Sequence, residues 1–510
     1  MSNPGNVIVA PDTMKRAVPL RRSAGWIASL LTPVAVGGIA LAVYAQTLLP
    51  GVGWGDIARF QYVARIWGVP HRFGYPLYIG LSRLFGYLPI DSPLGASGGS
   101  YAYRANLMSA VFAALAAMTV YFIVLRLADD RIAALSAGLS FAFSRALWGQ
   151  AVVAEVYTLN AFLIGAVLLA LLAWHQTRKG ALLYVGLGLY ALSFGNHMTV
   201  VTLLPAIVAL LLITDYRLFL QPRHLAAMAG LALLGASQYL YVIIRAQQQP
   251  LLNELGPFSW RGWVHWMTRN RFPGQFFGFG LGDQVDRLRI YLELLEKQFF
   301  RWGYILGWIG AWERLKADLR GTAFLALAAL GLYVFGMNYG GITFRIYLVP
   351  TYLIFAVFLG CGLSAVRRWL RGLVRGRPRW LGWGLQGGLA VAILVMPLYP
   401  MWQNWAEVDE SENTYYGDMA WDFVEHAGPN FVLVDSESYY DDLEAILYVA
   451  WAEKEWYAAR WITPGEIDRW LGQRPVYAWQ DAAGYHDGYV EETLPELPGM
   501  VRLVEKAVAR

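Results

Sequence analysis

The run ANLMSAVFAALAAMTVYFIVLRL (residues 105–127) contains no charged residue before Arg126. Because about 20 apolar residues in a helix cross the hydrocarbon core of a bilayer, this run predicts a transmembrane helix. Ten further segments give the same indication: 26–48, 132–147, 151–173, 181–195, 198–214, 225–244, 296–312, 322–338, 345–366 and 382–401. The chain is therefore predicted to be an α-helical polytopic membrane protein with about 11 transmembrane helices.

The composition agrees with this prediction, because 57% of the 510 residues are hydrophobic and only 15% are charged. Soluble domains carry roughly 25% charged residues. Such an excess of apolar side chains is too large for an ordinary soluble core. Cys361 is the single cysteine, which excludes a disulfide framework and argues against a thiolate metal cluster.

The two signs of charge are separated along the chain. Residues 1–401 carry 34 Lys and Arg against 14 Asp and Glu, whereas residues 402–510 carry 7 against 22. This reversal predicts a domain boundary near residue 401. The acidic part is predicted to be a small α/β soluble domain. Its strand-like segments are 431–435, 476–479 and 500–504, and its helix-like segment is 440–453.

Basic residues concentrate at the cytoplasmic ends of membrane spans. This rule predicts a cytoplasmic segment at 1–25 and an extracytoplasmic acidic domain at 402–510, in the inner (plasma) membrane. It holds throughout only if 296–312 crosses the bilayer. The most basic connection, which the rule places inside, contains Arg367, Arg368, Arg371, Arg375, Arg377 and Arg379.

Two long outward loops, 49–104 and 245–295, break the charge rule because both are rich in arginine. Outward arginines at a membrane surface favour the binding of a phosphorylated lipid, and headgroup anchoring with local Asp pairing is the alternative. Segments 57–67 and 75–88 are predicted to be interfacial helices. The arginines are Arg59, Arg65, Arg72, Arg83 and Arg104 in the first loop, and Arg245, Arg261, Arg269, Arg271, Arg287 and Arg289 in the second.

Two acids lie close to predicted membrane spans. Asp56 follows the first span in GVGWGDIARF, and Glu155 lies in AVVAEVYTLN at the outer end of the fourth. Acids near the hydrocarbon are costly and commonly functional. Asp56 could alternatively cap a helix and pair with Arg59. Glu155 could instead neutralise Arg104 or Arg145 across a helix interface.

Two histidines lie on the same predicted side, His71 in PHRFGYP and His197 in SFGNHMT. Each could be a turn residue with no further role. Together with the two acids and the outward arginines, however, they provide what a glycosyltransferase that uses a lipid phosphate requires. A carboxylate takes the proton from an acceptor hydroxyl, and cations stabilise the departing phosphate.

Five stretches, read in order, resemble one known family. They are GDIARFQYVARIWGVPHRFGYPLYIGLSRLFGYLP (55–89), YRANLMSAVFAALAA (103–117), WGQAVVAEVYTLNAF (148–162), LSFGNHMT (192–199) and YLYVIIRAQQQP (239–250). Together they look like the family labelled domain of unknown function 2723, which includes protein O-mannosyltransferase-like membrane enzymes of the GT-C glycosyltransferase superfamily. The resemblance implies a GT-C-like transmembrane domain over 26–401.

The resemblance also implies roles for individual residues. Asp56 matches the leading acid of the family's D-x-x-E-F motif and is assigned as the catalytic base, with Glu155 as the second catalytic acid. His71 matches the histidine before G-Y-P. Arg104 and Arg245 are assigned to the donor phosphate. The remaining matched positions, assigned to substrate binding or to the architecture of the site, are Asn106, Tyr157, Asn160 and His197.

The chain departs from the family pattern at two places. Arg59 stands where the family has Glu, and His71-Arg72-Phe73-Gly74 stands where it has His-Pro-Pro-Gly. One carboxylate replaced by a cation favours a metal-free enzyme in which arginines, Arg59 included, bind the phosphate. No cofactor is therefore predicted, and a divalent metal site is disfavoured but left open. A changed donor and a catalytically weakened protein are the alternatives.

The sequence thus predicts a GT-C-type glycosyltransferase. It would move a sugar from a polyprenyl-phosphate donor to an acceptor on the extracytoplasmic face of the membrane. The acceptor is left open between protein, lipid and glycan, and no nucleic acid is expected as a partner. The alternative is a non-catalytic membrane protein that binds or transports a polyprenyl-linked lipid.

Overall fold

A computed structural model describes residues 25–71, 73–95, 99–268, 277–341, 343–481, 489–497 and 499–505. The helices that precede the acidic domain are α1 (Gly25–Gln46), α2 (Gly55–Ile66), α3 (Pro76–Phe85), α4 (Ser100–Ala128), α5 (Arg131–Ala142), α6 (Arg145–Ala151), α7 (Tyr157–Thr177), α8 (Gly180–Ser193), α9 (Leu204–Asp215), α10 (Pro222–Ser237), α11 (Leu240–Gln247), α12 (Trp260–Thr268), α13 (Asp283–Ala317), α14 (Leu319–Met337), α15 (Val349–Leu373), α16 (Arg379–Val395) and α17 (Leu398–Val408).

Seven helical segments in the described ranges are long and apolar enough to cross a membrane. The pair α5 and α6 makes an eighth if it is one span, bent by 63° at its break. The Leu31–Gln46 part of α1 and the whole of α8 are apolar but shorter. The protein is therefore a multi-pass membrane protein. The predicted span 296–312 lies within α13, which does not pass this test, so length and composition alone do not reach the predicted count of 11.

One predicted boundary is corrected by the structure. The predicted span 151–173 begins too early, because α7 starts at Tyr157 and residues 152–156 form no helix. This segment is held in place by Leu49, whose N–H donates to the carbonyl of Val152 at 3.0 Å. The predicted domain boundary at residue 401 falls inside α17 and stays a prediction.

The core of the membrane part is formed by α4, which packs against α1, α5, α7 and α15. Small side chains let these helices approach one another closely. The closest packing is between α13 and α15, where a Cβ atom added to Gly310 would lie 1.8 Å from the carbonyl oxygen of Phe358. Glycine is therefore required at position 310.

Helix α2 is enclosed by protein. Its residues from Ile57 to Ala64 are all buried, between α3, α4 and a helix of the acidic domain. The helix predicted at 57–67 is thus present, but its faces are covered by protein rather than open to lipid headgroups. Its position relative to the membrane surface stays a prediction.

The acidic domain is a small α/β unit, as predicted. Its five-stranded sheet has the order β2-β1-β3-β5-β4. β1 is parallel to β2 and β3, whereas β5 is antiparallel to β3 and β4. The elements are α18 (Tyr415–Ala427), β1 (Val432–Val434), α19 (Tyr440–Tyr448), β2 (Arg460–Ile462), α20 (Ile467–Trp470), β3 (Val476–Trp479), β4 (Tyr489–Thr493) and β5 (Met500–Glu505).

Candidate active site

Asp56 lies in the first turn of α2, where a helix N-terminus favours a negative charge. Its side chain is 51% accessible. The Tyr440 hydroxyl, from α19, donates a hydrogen bond of 2.7 Å to Asp56 Oδ1. His71 Nε2 lies 3.1 Å from the same oxygen, at ion-pair distance but off the line of a good hydrogen bond. No hydrogen bond from the described part of the chain reaches Oδ2.

The surroundings of Asp56 keep it ionised. Desolvation alone would raise the pKa of this carboxyl, but His71, the Tyr440 hydroxyl and Arg59 together hold the pKa of Asp56 well below its usual range. Burial lowers the pKa of His71, yet the charges of Asp56 and Glu254 outweigh burial and raise the pKa of His71 above its ordinary value. The pair is therefore a carboxylate beside an imidazole that readily carries a proton.

The backbone around His71 is unusual. His71 (φ 43°) and Tyr75 (φ 42°) both adopt the left-handed conformation, which residues other than glycine rarely adopt and which costs of order 1 kcal/mol or more. Such strain concentrates at functional sites. Arg72, the second departure from the family pattern, lies outside the described residues.

Glu254 joins the site from the second of the two arginine-rich loops, 245–295. Val69 donates to the carbonyl of Leu252 at 2.8 Å, and Glu254 donates to the carbonyl of Val69 at 3.1 Å. This ladder brings Glu254 Oε1 to 3.8 Å from His71 Nδ1. His71 is thus flanked by two carboxylates that lie in different loops of the sequence.

Arg59 is buried between two carboxylates. It is 8% exposed, and its guanidinium forms ion pairs with Glu254 and with Glu444 of α19. Glu444 is itself only 1% exposed and accepts a 2.7 Å hydrogen bond from the Tyr62 hydroxyl. The suggested pairing of Arg59 with Asp56 is not found among the ion pairs of the described residues, and the expected phosphate contact stays a prediction.

Glu155 and His197 form a second, uncharged part of the site. Burial, reinforced by the charge of Asp56, raises the pKa of Glu155 to about 8. Burial lowers the pKa of His197 to about 4. The rings of Tyr157 and Tyr347 pack against His197 with centroids 5.6 and 5.8 Å away. At neutral pH this part therefore offers neutral hydrogen-bonding groups beside the charged pair of Asp56 and His71.

Neither arginine suggested as a partner for Glu155 pairs with it in the described residues. Arg104 pairs with Asp91 at 3.0 Å, and Arg145 pairs with Glu407 at 2.9 Å. Glu155 instead accepts the N–H of Val156 at 3.2 Å. Among the described residues, its carboxyl group therefore forms no ion pair, and burial outweighs the more distant charge of His71.

The raised pKa of Glu155 predicts a pH-dependent effect of Glu155→Gln. Because the folded-state pKa exceeds the ordinary 4.5, the neutral carboxyl favours folding. This contribution is complete below about pH 4.5 and is lost as the pH rises through 8. At pH 9 the variant should therefore melt at a higher temperature than the parent protein. At pH 5 the two melting temperatures should be nearly equal. Melting is monitored by tryptophan fluorescence in detergent. An equal difference in melting temperature at pH 5 and at pH 9 would contradict the raised pKa of Glu155.

The two arginines assigned to the donor phosphate are engaged by main-chain carbonyls at helix ends. Arg245 donates to Trp67 O at 2.8 Å and Ile66 O at 3.3 Å, at the end of α2. Arg104 donates to Gly86 O at 2.8 Å, just after α3. These contacts satisfy carbonyls that a helix leaves unpaired. Phosphate binding by either arginine stays a prediction.

Replacing Arg245 distinguishes a structural role, in which it binds main-chain carbonyls, from binding of the donor phosphate. Arg245→Gln is expected to lower the free energy of unfolding by roughly 1–3 kcal/mol, because hydrogen bonds from a charged donor are lost. Arg289→Gln, which removes an exposed guanidinium paired only with Glu293 among the described ion pairs, should change it little. An unchanged melting temperature with a donor KM raised about tenfold would assign Arg245 to the phosphate instead.

The other predicted positions divide between structure and site. Asn106 is fully buried, donates to Leu49 O at 2.9 Å and accepts from Gln61 at 3.0 Å, so it joins α4 to the start of α2. Asn160 donates to Thr199 at 3.1 Å, and its Oδ1 has no hydrogen-bond partner in the described residues. In the part of the chain that the structure describes, no three His, Cys, Asp or Glu side chains are grouped so that they could hold a metal ion.

The fold is that of GT-C glycosyltransferases. The chain superposes on ArnT from Cupriavidus metallidurans bound to undecaprenyl phosphate with a TM-score of 0.58 at 13% identity, covering 95% of this chain and 99% of that one. The apo form of ArnT gives 0.59 at 13% identity, covering 93% and 98%. Arabinofuranosyltransferase AftD from Mycobacteria gives 0.51 at 12% identity, covering 94% and 40%.

The chain is also similar in sequence to protein O-mannosyl-transferases. The family model of the protein O-mannosyl-transferase TMEM260 N-terminal domain matches residues 56–219, beginning at Asp56. The chain is 25% identical over 292 residues to protein O-mannosyl-transferase tmem260 of Dictyostelium discoideum, covering 52% of this chain and 34% of that protein. It is 30% identical over 173 residues to TMEM260 of Mus musculus, covering 33% and 24%. The chain thus spans about a third or less of the length of these relatives.

Proposed function

We propose that this protein is a membrane glycosyltransferase that moves a sugar from a polyprenyl-phosphate donor to an acceptor hydroxyl on the extracytoplasmic face. The observation that carries the proposal is the Asp56 carboxylate. It is ionised, half accessible and held on one oxygen by Tyr440 and His71. Its second oxygen, Oδ2, is left for a substrate.

The reaction follows from this geometry. The acceptor hydroxyl donates its hydrogen bond to Asp56 Oδ2. As the acceptor oxygen forms its bond to C1 of the sugar, the bond between C1 and the donor phosphate oxygen breaks. The proton passes to Asp56, and the polyprenyl phosphate leaves with the bonding electrons. The raised pKa of His71 favours a positive charge beside the carboxylate, where it stabilises the ion pair before transfer.

The class of donor is supported by the comparisons. One similar structure is ArnT bound to undecaprenyl phosphate, a polyprenyl phosphate, and both curated relatives are protein O-mannosyl-transferases. A hexosyl group such as mannose is therefore the proposed sugar. A protein hydroxyl is the first acceptor to test, followed by lipid and glycan acceptors.

The roles of the uncharged part follow from its protonation. Neutral Glu155 can donate as well as accept a hydrogen bond, and neutral His197, whose Nδ1 accepts the N–H of Thr199 at 3.2 Å, can donate through Nε2. Both suit the hydroxyls of a sugar better than a phosphate. We assign them to holding the sugar, with Tyr157 and Asn160 beside them, while Asp56 performs the proton transfer. We also propose that the N-terminal segment, residues 1–25, is cytoplasmic and that the acidic domain lies on the extracytoplasmic face.

Lipid extraction from the purified protein tests the proposed function. Mass spectrometry of the extract should detect a polyprenyl-phosphate sugar, and adding a hydroxyl-bearing acceptor peptide should transfer the sugar and leave polyprenyl phosphate. If the lipid is bound but no acceptor of any class receives sugar, the protein is the non-catalytic lipid binder of the alternative. Consistent absence of any polyprenyl lipid would contradict both.

A further inference from the structure

Helix α19 of the acidic domain lies directly against α2 of the membrane part. Tyr440, the first residue of α19, reaches Asp56 across 384 residues of sequence. Its ring also covers Arg59, whose guanidinium carbon lies 5.1 Å from the ring centroid. The hydroxyl and the ring are thus both held by residues of the first turns of α2.

The rest of α19 is fixed in the same interface. Glu444 pairs with Arg59 and accepts from the Tyr62 hydroxyl. One turn later, the Tyr448 hydroxyl accepts the N–H of Ala102 at 2.7 Å. Both Glu444 and Tyr448 are almost completely buried. The helix therefore has contacts to α2 and α4 along its length, and Tyr440 does not depend on one flexible contact.

Gly55 shows how close the approach is. Its φ of +44° is one that glycine adopts at little cost. A Cβ atom at this position would lie 2.3 Å from Asp441 Oδ1 and 3.3 Å from the Tyr440 ring. The residue beside the candidate base is therefore a glycine because α19 occupies the space that a side chain would need.

We propose that Tyr440 is a positioning residue of the active site, so that the acidic domain completes the catalytic centre. The Tyr440 hydroxyl and His71 together hold Oδ1 of Asp56, which turns Oδ2 toward the acceptor hydroxyl. This inference rests on the proposed function. It differs from it by placing one member of the site in a separate domain.

The physical reason is the freedom of the carboxylate. The terminal torsion of Asp has broad, weakly separated minima, so a single contact from His71 would leave Oδ2 free to turn. The Tyr440 hydrogen bond to Oδ1, added to the charge contact with His71, fixes the plane. Misplacement of a reacting group by about 1 Å can cost about 100-fold in rate.

Tyr440→Phe tests this role because it removes only the hydroxyl. It is expected to lower kcat by about 10–100-fold, while the donor KM stays within about twofold and the melting temperature stays that of the parent protein. Tyr439→Phe is the matched control, since the Tyr439 ring stacks on Trp479 at 5.2 Å and does not contact Asp56. It should behave like the parent. A Tyr440→Phe variant within threefold of the parent kcat would overturn the proposal.

A second variant decides the question if Tyr440→Phe destabilises the fold. Tyr62→Phe removes the hydroxyl that donates to Glu444 at 2.7 Å in the same interface between α2 and α19, and it leaves the Tyr440 hydrogen bond to Asp56 in place. With both rates expressed per folded molecule, Tyr62→Phe should keep the parent kcat within about threefold. A Tyr440→Phe variant no slower than Tyr62→Phe would count against the proposal.

The failure of this inference is separable from the failure of the proposed function. An inactive Asp56→Asn with a fully active Tyr440→Phe removes only the positioning role. A fully active Asp56→Asn removes the catalytic assignment on which both rest.

Discussion

Asp56→Asn is expected to lower the rate of sugar transfer by about 10²–10⁴-fold and to leave the protein folded in the membrane. The amide keeps the shape of the side chain and still accepts the Tyr440 hydrogen bond, but it cannot take a proton at neutral pH. The melting temperature should fall moderately, because the neutral amide loses the charge interactions with His71 and Arg59 that lower the pKa of Asp56. Turnover of a polyprenyl-phosphate sugar, measured with purified protein at saturating acceptor, provides the rate.

Asp129→Asn is the matched control for this experiment. Asp129 is an exposed residue with φ of 50° after α4, a conformation that Asn tolerates as well as Asp. Its activity should equal that of the parent protein. Full activity of Asp56→Asn would remove Asp56 as the base and, with it, the mechanism given above.

Arg59→Glu is expected to be the most damaging single change for stability. It restores the residue type that the D-x-x-E-F motif has at this position. In this chain, however, it would bury a third carboxylate against Glu254 and Glu444. Even Arg59→Met should cost about 3–5 kcal/mol, because it leaves Glu444, 1% exposed, without its cation. Both effects are measured as a fall in melting temperature and in the yield of folded protein.

Two variants show whether the buried charge is the cause. Arg59→Met combined with Glu444→Gln removes both charges and should recover most of the stability lost by Arg59→Met. Arg65→Met, on the same helix, breaks the more exposed pair with Glu455, whose side chains are 30% and 51% accessible. It should cost about 1 kcal/mol or less. An Arg59→Glu variant as stable as the parent protein would contradict the assigned ion pairs.

The parts of the site that sequence could predict are those written in short stretches. Asp56 and His71 lie in one loop of 49–104 and are recognisable from GDIARF and the string before G-Y-P. The structure brings them to 3.1 Å. The α/β character of the acidic domain was also predictable, because β1, β3 and β5 have local apolar patterns. β2 and β4 were missed, since neither has a buried run of its own.

The partners that the sequence did not reveal are all distant along the chain. Glu254, Tyr440 and Glu444 reach the site through the pairing of two loops and the docking of α19. The residues next to each of them in sequence give no indication that they belong to the site. Arg59, which replaces the glutamate of the D-x-x-E-F motif, is the one sequence feature that indicates such partners. A buried cation in place of a carboxylate requires carboxylates elsewhere in the chain. The roles of Arg104 and Arg245 could not be separated from sequence, since a guanidinium suits a carbonyl at a helix end as well as a phosphate.

The contact between α19 and α2 also has a consequence for the making of the protein. Asp56 is synthesised hundreds of residues before Tyr440 and Glu444, which must reach the same face of the membrane and fold before they meet it. During insertion, Arg59 and the Asp56 carboxylate therefore lack the partners that shield and orient them. Assembly of the proposed site coincides with the docking of the acidic domain, so we expect activity only after that domain has been synthesised and has folded.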